Sequence, residues 1–232
     1  MAECTASAIV RRSTAHASLA ALGVKLQQLD LLSPLREEVK IAQKAVQYTP
    51  FEKRYDCFIG ILAGAHGIVE INERRRADPA LQAAFGRTAC AEQSVIQDTL
   101  DACTAANVIQ REPAIQRIFR LHRRAAHHDF AHGELLLDAD MSGMPCGKKA
   151  AFATQGYFAG AKNCRGRQLG RVLATDQEEI VVDELFAGNV ALVTALPGLV
   201  EAAEQRLALT PEQRARTILR VDAGGGSWPS GN

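Results

Sequence analysis

The stretch ELLLDADMSG, residues 134–143, decides the fold because the period of the sequence changes there. In the preceding chain, apolar residues recur every three or four positions, which is typical of helices. After Gly133 they alternate with polar residues, which is typical of a strand with two unlike faces. One face of this predicted strand carries Leu136, Asp138 and Asp140, and the other carries Leu135, Leu137 and Ala139.

Three further strands and one helix are predicted downstream. Residues 166–175 and 178–186 have strand patterns, and so do residues 216–224, which read RTILRVDAG. Residues 191–209 have a helical pattern that we expect to be interrupted near Pro197. The order strand, strand, strand, helix, strand predicts a mixed α/β domain over residues 131–227. Its first strand ends at Asp140 and its fourth at Asp222, and residues 228–232 are a tail.

The chain before residue 130 is predicted to be helical. Residues 1–32 are expected to be a partly disordered extension, and a helical region follows over residues 33–130. Thr49 and Glu52 have the spacing of a capping box around Pro50, and Gly64 marks the end of the helix that they begin.

A helix-turn-helix is the outline suggested by residues 78–105. Asp78 and Pro79 open a short helix, Gly86 marks a turn, and a longer helix follows from Thr88. Exposed side chains of the second helix are candidates to face a DNA groove. These candidates are Arg87, Glu92, Gln93, Ser94 and Gln97. An ordinary helical hairpin is the alternative.

A second candidate DNA surface is basic. From Arg111 to Arg171 the sequence has eleven Lys or Arg against five Asp or Glu. Within this range, basic residues are interleaved with Phe152, Tyr157 and Phe158 on a predicted extended hairpin, a pattern suited to a nucleic-acid backbone. The basic candidates are Lys148, Lys149, Lys162, Arg165, Arg167 and Arg171. The alternative is that the aromatic residues are core and the charges are solvated.

Carboxylates that end neighbouring strands suit hard divalent cations such as Mg²⁺, which prefer oxygen ligands. Asp140 and Asp222 are the candidate metal ligands, and Asp138 is a third because it shares a face with Asp140. Two ions held in this way can serve phosphoryl transfer. The alternative is that each Asp caps the turn after its strand.

The sequence resembles the DDE transposases of bacterial insertion sequences, which have a catalytic core of ribonuclease-H type. The resemblance is carried, in the family's order, by residues 135–160, 165–175, 178–189, 199–209 and 216–227, and by the helical residues 85–103. It implies that Asp140, followed by Ser142, matches the first catalytic carboxylate and Asp222 the second. It also implies Mg²⁺ or Mn²⁺ as cofactor, transposon-end and target DNA as partners, and a homo-oligomer. The implied reaction is phosphodiester hydrolysis followed by strand transfer.

The chain departs from this family after Asp222. The family supplies a third carboxylate, a Glu, from a downstream helix, whereas no acidic residue follows Asp222 here. We therefore expect a C-terminally truncated family member that is inactive alone. The alternatives are a transposase remnant that only binds DNA or inhibits transposition, and a metal-dependent nuclease unrelated to transposition.

The overall composition is that of a globular chain, with 47% hydrophobic residues and a formal net charge of +1. It contains no uninterrupted apolar stretch of about 18 residues, the length of a candidate membrane helix. We expect a cytoplasmic, nucleoid-associated bacterial protein that has no membrane partner and no small-molecule cofactor.

Overall fold

The structure is a computed structural model that describes residues 13–44, 47–74, 76, 78–158 and 161–221. For residues 157 and 161–163 it describes the backbone alone. The chain divides into two compact units, Met1–Ile118 and Phe119–Asn232. The first is helical and the second contains a mixed sheet, so the chain as a whole is mixed α/β.

The first unit contains seven helices among its described residues, the last of which continues past Ile118. They are α1 (Ala17–Gln28), α2 (Ser33–Glu38), α3 (Pro50–Leu62), α4 (Val69–Arg74), α5 (Pro79–Ala84), α6 (Gln93–Asp101) and α7 (Ala105–His122). Two apolar clusters hold them together. Ile59 of α3 packs with Leu81 and Phe85 in one cluster, whereas Ile71 of α4 packs with Ile96 of α6 in the other.

The start of α3 is as the sequence predicts. Thr49 is its N-cap, and the capping box with Glu52 is complete in both directions. Gly64 follows the helix with a φ of 84°, a conformation that costs glycine little. α2 ends at Glu38, where Val39 is extended, and both Val39 and Ile41 are buried.

The N-terminal segment differs from the expected extension. Residues 17–28 form α1, and its apolar side chains Leu19, Ala20 and Leu26 pack against the α3 and α5 cluster. This packing stabilises the helix, and the local sequence does not show that the packing partners are present. Residues 1–12 lie outside the described part of the chain.

The predicted helix-turn-helix is not formed as a tight pair. Asp78 caps α5 as expected, but α6 begins only at Gln93, so that residues 85–92 separate the two helices. The turn of a helix-turn-helix has about three or four residues. The packing also differs, since α5 lies mainly against α1 and α6 mainly against α3. Residues 78–105 are thus two helices that pack on different neighbours.

The second unit begins earlier than residue 131. Phe119 and Ala125 are buried in the same core as strand residues Leu135 and Val172, and this packing assigns the end of α7 to the second unit. The elements that follow are a 3-10 helix (Ala125–His127), β1 (Leu135–Pro145), β2 (Thr154–Phe158), β3 (Ala161–Ala174), β4 (Glu179–Ala187), α8 (Leu192–Leu207), α9 (Pro211–Arg214) and β5 (Thr217–Val221).

The described sheet has five strands. β3 pairs antiparallel with β1, β2 and β4, whereas β5 pairs parallel with β1 on the opposite side from β3. The hairpin of β2 and β3 is the one expected from the basic segment. β1 is longer than predicted, because it continues past Asp140 to Pro145 along β3.

One face of the sheet is covered by α8. Leu196 and Leu199 of this helix pack against Leu137 and Val172, which lie on the buried face of β1 and β3. The helix runs through Pro197 without the predicted interruption. Pro197 lies in the second turn, so the carbonyl that loses its partner is that of Val193, which is exposed.

The opposite face of the sheet is the one that carries Asp138 and Asp140. The described residues of the second unit leave Ile180, Leu185 and Ile218 exposed there, each to between 37% and 44%. The registers of β1, β3, β4 and β5 place these side chains on the same side as the two aspartates. We call this surface the open face.

Candidate active site

Asp140 is an exposed carboxylate on the open face. It lies directly opposite Arg171 in the antiparallel pair of β1 and β3. The Arg171 guanidinium nevertheless binds Asp183 of β4, with Nε and Nη2 donating to the two carboxylate oxygens at 2.7 and 3.3 Å. Among the described residues, Asp140 therefore has no ion-pair partner and is free to bind a cation.

Asp138 lies on the same face but is held by its neighbours. Arg220 of β5 donates from Nε and Nη2 to its two oxygens, at 2.6 and 2.8 Å. The Thr175 hydroxyl donates to Oδ2 at 3.0 Å. The hydrogen bond from Arg220 holds the pKa of Asp138 below its ordinary value of 3.8. Both oxygens of this carboxylate are thus engaged.

Asp222 lies outside the described residues. Its neighbour Val221 pairs with Ala139, the residue that precedes Asp140. The described parallel ladder of β1 and β5 therefore ends one residue short of both predicted ligands. It brings together the backbone positions that lead into Asp140 and Asp222.

A divalent metal is the cofactor that the predicted site requires. The described residues contain no group of three or more His, Cys, Asp or Glu side chains that could hold a metal ion. The donor chemistry of Asp140 nevertheless fits Mg²⁺ or Mn²⁺, because an exposed carboxylate supplies hard oxygen ligands and leaves room for coordinated water.

The basic residues predicted to contact DNA lie in two places, on β3 and in the turn before β2. Arg165, Arg167 and Arg171 alternate along β3 and lie on the open face with Asp140. Lys148 and Lys149 are exposed in the turn before β2. The side chain of Lys162 lies outside the described set. Arg165 donates to the carbonyl of Ala153 at 3.3 Å, whereas Arg167 is half-buried.

The aromatic residues of this segment differ in their burial. Phe158 is buried to 98%, and its ring packs against Gly143 and Gly166 of the neighbouring strands. Phe152 is exposed to 62% in the turn. The side chain of Tyr157 is not described. One aromatic residue is therefore core, as the solvated-charge alternative predicted, and one is free to contact a ligand.

Arg87, predicted as a DNA contact, is instead a buried residue of the first unit. It is 8% exposed, and Nε and Nη2 donate to the fully buried Asp56 at 3.1 and 3.3 Å. Nη1 donates to Glu52. Burial lowers the pKa of Arg87, but the hydrogen bonds and charges of these carboxylates outweigh that effect and raise it. The guanidinium is committed to the protein interior.

The charged side chains that α6 exposes are the aspartates Asp98 and Asp101. Ser94 and Gln97 are exposed as predicted, and Gln97 donates to Asp101 at 2.7 Å. Gln93 is only half-exposed. The exposed acidic residues Glu92, Asp98 and Asp101 lie beside these groups and oppose the approach of DNA phosphates. DNA contact through α6 stays a prediction that its electrostatics do not favour.

Arg220 and Thr175 are the residues of the candidate site that our sequence reasoning missed. The signal was present, because the alternation in RTILRV predicts that Arg220 lies on the opposite face of the strand from Leu219 and Val221. The sequence does not show which carboxylate faces Arg220, since this depends on the register of β5 against β1.

A separate cleft of about 490 Å³ lies in the first unit. Its aromatic walls are Phe51, Tyr55 and Phe85, and Glu52 and Arg87 also line it. Glu52 and Arg87 form an ion pair with each other. The cleft contains none of the predicted carboxylate ligands.

Comparisons with protein-family models, with curated proteins and with solved structures gave no match. Among the described helices, none is both long enough and apolar enough to cross a membrane.

Proposed function

We propose that this chain is a DNA-binding protein of the DDE-transposase type that binds the ends of an insertion sequence and holds a divalent metal ion with Asp140 and Asp222. The observation that carries the proposal is that Asp140 and Arg167 lie on one face of the sheet, with Arg165 two residues before Arg167 on the same strand face. A protein that binds and cleaves DNA needs basic side chains along the phosphate backbone and a metal ligand beside the reacting phosphate. This face offers both.

The finer fold assignment is part of the same proposal. We infer that the second unit has a ribonuclease-H-like fold and that the first unit belongs to a helical DNA-binding region. Support comes from β1, β3 and β4 as three antiparallel strands, from α8 on one face, and from β5 parallel to β1. With the additional strand β2 and the short helix α9 set aside, this order of elements matches the strand, strand, strand, helix, strand order that the resemblance implies.

The chain's own residues have distinct parts in this proposal. Arg165 and Arg167 position the phosphate backbone, and Asp140 provides an oxygen ligand to the cation. A bound Mg²⁺ or Mn²⁺ would activate the attacking oxygen and stabilise the leaving one. The DNA contact is assigned to β3 rather than to α6 because α6 and its N-cap Glu92 together present three exposed carboxylates.

The binding part is tested by fluorescence anisotropy with a labelled duplex taken from the ends of the element that encodes the chain. A scrambled duplex of equal length is the reference. Affinity is expected to fall steeply with salt, and Arg167→Gln is expected to reduce the salt slope by about one, because one phosphate contact is lost. Arg214→Gln is the matched control, since Arg214 pairs with Glu204 in α8. Binding that is absent at low salt, or independent of salt, contradicts the proposal.

A strand-cleavage assay on the same duplex separates the enzyme from a protein that only binds DNA. Cleavage that requires Mg²⁺ or Mn²⁺ and is lost in Asp140→Asn and in Asp222→Asn supports the enzyme. End-specific binding without cleavage supports the DNA-binding remnant. Cleavage without preference for the ends supports the unrelated nuclease.

A further inference from the structure

Asp138 and Asp140 are two carboxylates on one face of β1, and only one of them is held by a cation. We propose that Arg220, supported by Thr175, keeps Asp138 out of the metal site and thereby makes Asp140 the metal ligand of β1. This inference rests on the proposed function, because it assigns a role to residues beside the proposed metal ligands. Arg220 is therefore a positioning residue.

Both carboxylate oxygens of Asp138 accept hydrogen bonds from its neighbours. Arg220 forms a bidentate ion pair with Asp138, with N···O distances of 2.6 and 2.8 Å to the two oxygens. Thr175 donates to Oδ2 at 3.0 Å and accepts from Nη2 of Arg220 at 3.3 Å. A metal ion at Asp138 has to displace charge-assisted hydrogen bonds, which are about twice as strong as neutral ones.

The same contact fixes the register of β5. Asp138 and Arg220 are direct partners in the parallel ladder, and Ala139 and Val221 are the next pair. A slip by one residue sends every side chain of a strand to the other face. It also breaks the bidentate contact, so the contact favours the register in which Arg220 lies opposite Asp138.

The neighbouring arginines both bind aspartates other than Asp140. Arg171 of β3 lies opposite Asp140 but binds Asp183, and Arg220 of β5 binds Asp138. Of the three aspartates described on the open face, Asp140 is the one without a guanidinium. The two ion pairs on either side therefore select it for a cation from solution.

The proposal is tested by titrating the full chain with Mn²⁺ alone, followed by electron paramagnetic resonance. Arg220→Gln releases Asp138, whose position along β1 is about 6.6 Å from Asp140. We expect this variant to bind Mn²⁺ on the order of tenfold more tightly, because affinity rises with the number of carboxylate ligands. Arg220→Gln combined with Asp138→Asn is expected to return to the wild-type affinity, and Arg220→Lys to fall between wild type and Arg220→Gln.

Arg214→Gln is the matched control, because it makes the same charge change and releases Glu204 away from the open face. Unchanged Mn²⁺ affinity in Arg220→Gln, or tightening that persists in the double variant or appears equally in Arg214→Gln, overturns the proposal. Amide hydrogen exchange of β1 and α8 verifies that each variant is folded.

A second measurement separates this proposal from the proposed function. Denaturant unfolding of wild type, Asp138→Asn, Arg220→Gln and the double variant forms a cycle that needs no metal. We expect the two substitutions to be non-additive, since each removes the same contact. Additive effects of the two substitutions on the free energy of unfolding would show that Arg220 and Asp138 do not interact, and would overturn the proposal. Strong non-additivity in a protein that binds no Mn²⁺ contradicts the proposed metal site and, with it, the selective role of Arg220.

Discussion

The substitution Arg87→Ala distinguishes a structural role of Arg87 from the DNA contact predicted from the sequence. Arg87 bridges two carboxylates, with Nε 3.1 Å from Asp56 and Nη1 bound to Glu52. Asp56 is fully buried and also accepts from the backbone N–H of Ala91 at 2.8 Å. Removal of the guanidinium takes two charge-assisted hydrogen bonds away from this buried carboxylate.

The expected loss of stability follows from the burial of both Arg87 and Asp56. Breaking a buried ion pair by removing one member costs about 3–5 kcal/mol, because the remaining charge is uncompensated. Domains are stable by about 5–15 kcal/mol, so the first unit is expected to lose a large share of its stability. Arg117→Ala breaks an ion pair with Glu37 in which both side chains are about half exposed. Its expected cost is below about 1 kcal/mol.

Amide hydrogen exchange with mass spectrometry measures the effect in the full chain and resolves the two units. Peptides from α3 and α5 are expected to exchange much faster in Arg87→Ala, whereas peptides from β1 and α8 are expected to be unchanged. Asp56→Asn combined with Arg87→Gln is expected to cost less than the sum of the two single changes. Wild-type protection in Arg87→Ala together with weakened DNA binding refutes this reasoning and restores the groove contact.

Three further predictions concern stability and pH. The first concerns Glu52, whose pKa is lowered from 4.5; burial raises it, but the hydrogen bonds from Thr49 and Arg87 outweigh that effect. Its contribution to stability is therefore present above pH 4.5 and is lost as the pH falls through the lowered value, so acid unfolding of the first unit is expected to be less steep in Glu52→Gln. The second concerns Gly156→Ala, which places a Cβ 2.3 Å from the carbonyl oxygen of Gly188. It is expected to destabilise the β2–β3 hairpin by about 1–3 kcal/mol in denaturant unfolding, whereas Gly147→Ala, with nothing within 4 Å, is not. The third is Leu199→Ala, which removes a fully buried side chain between α8 and the sheet and is expected to cost about 2–5 kcal/mol; an equal loss in the exposed Val193→Ala argues against this packing.

Local patterns predicted the elements that depend on local physics. Alternation over residues 135–140 gave β1 its two faces, and the spacing of Thr49 and Glu52 gave the start of α3. The burial of Arg87 is not predictable from the local sequence, because its partners lie 31 and 35 residues earlier in the chain. The order in α1 has the same origin, since it depends on packing against α3 and α5.

The candidate site was predictable in part for the same reason. The alternation placed Asp138 and Asp140 together, but it could not decide between them. That choice follows from the pairing of β5 with β1, which brings Arg220 opposite Asp138. Strand register is set by contacts between distant segments, so the sequence alone left both carboxylates as candidates.

The most direct test of the account is a Mn²⁺ titration of the full chain with and without end duplex, read by electron paramagnetic resonance. If metal and DNA meet at Asp140, the duplex is expected to tighten Mn²⁺ binding, because its phosphate oxygens complete the coordination of the ion, and Mn²⁺ is expected to tighten DNA binding by the same factor. Asp140→Asn is expected to abolish this coupling while salt-dependent DNA binding persists. Mn²⁺ binding that is insensitive to the duplex, or coupling that survives Asp140→Asn, would contradict the account.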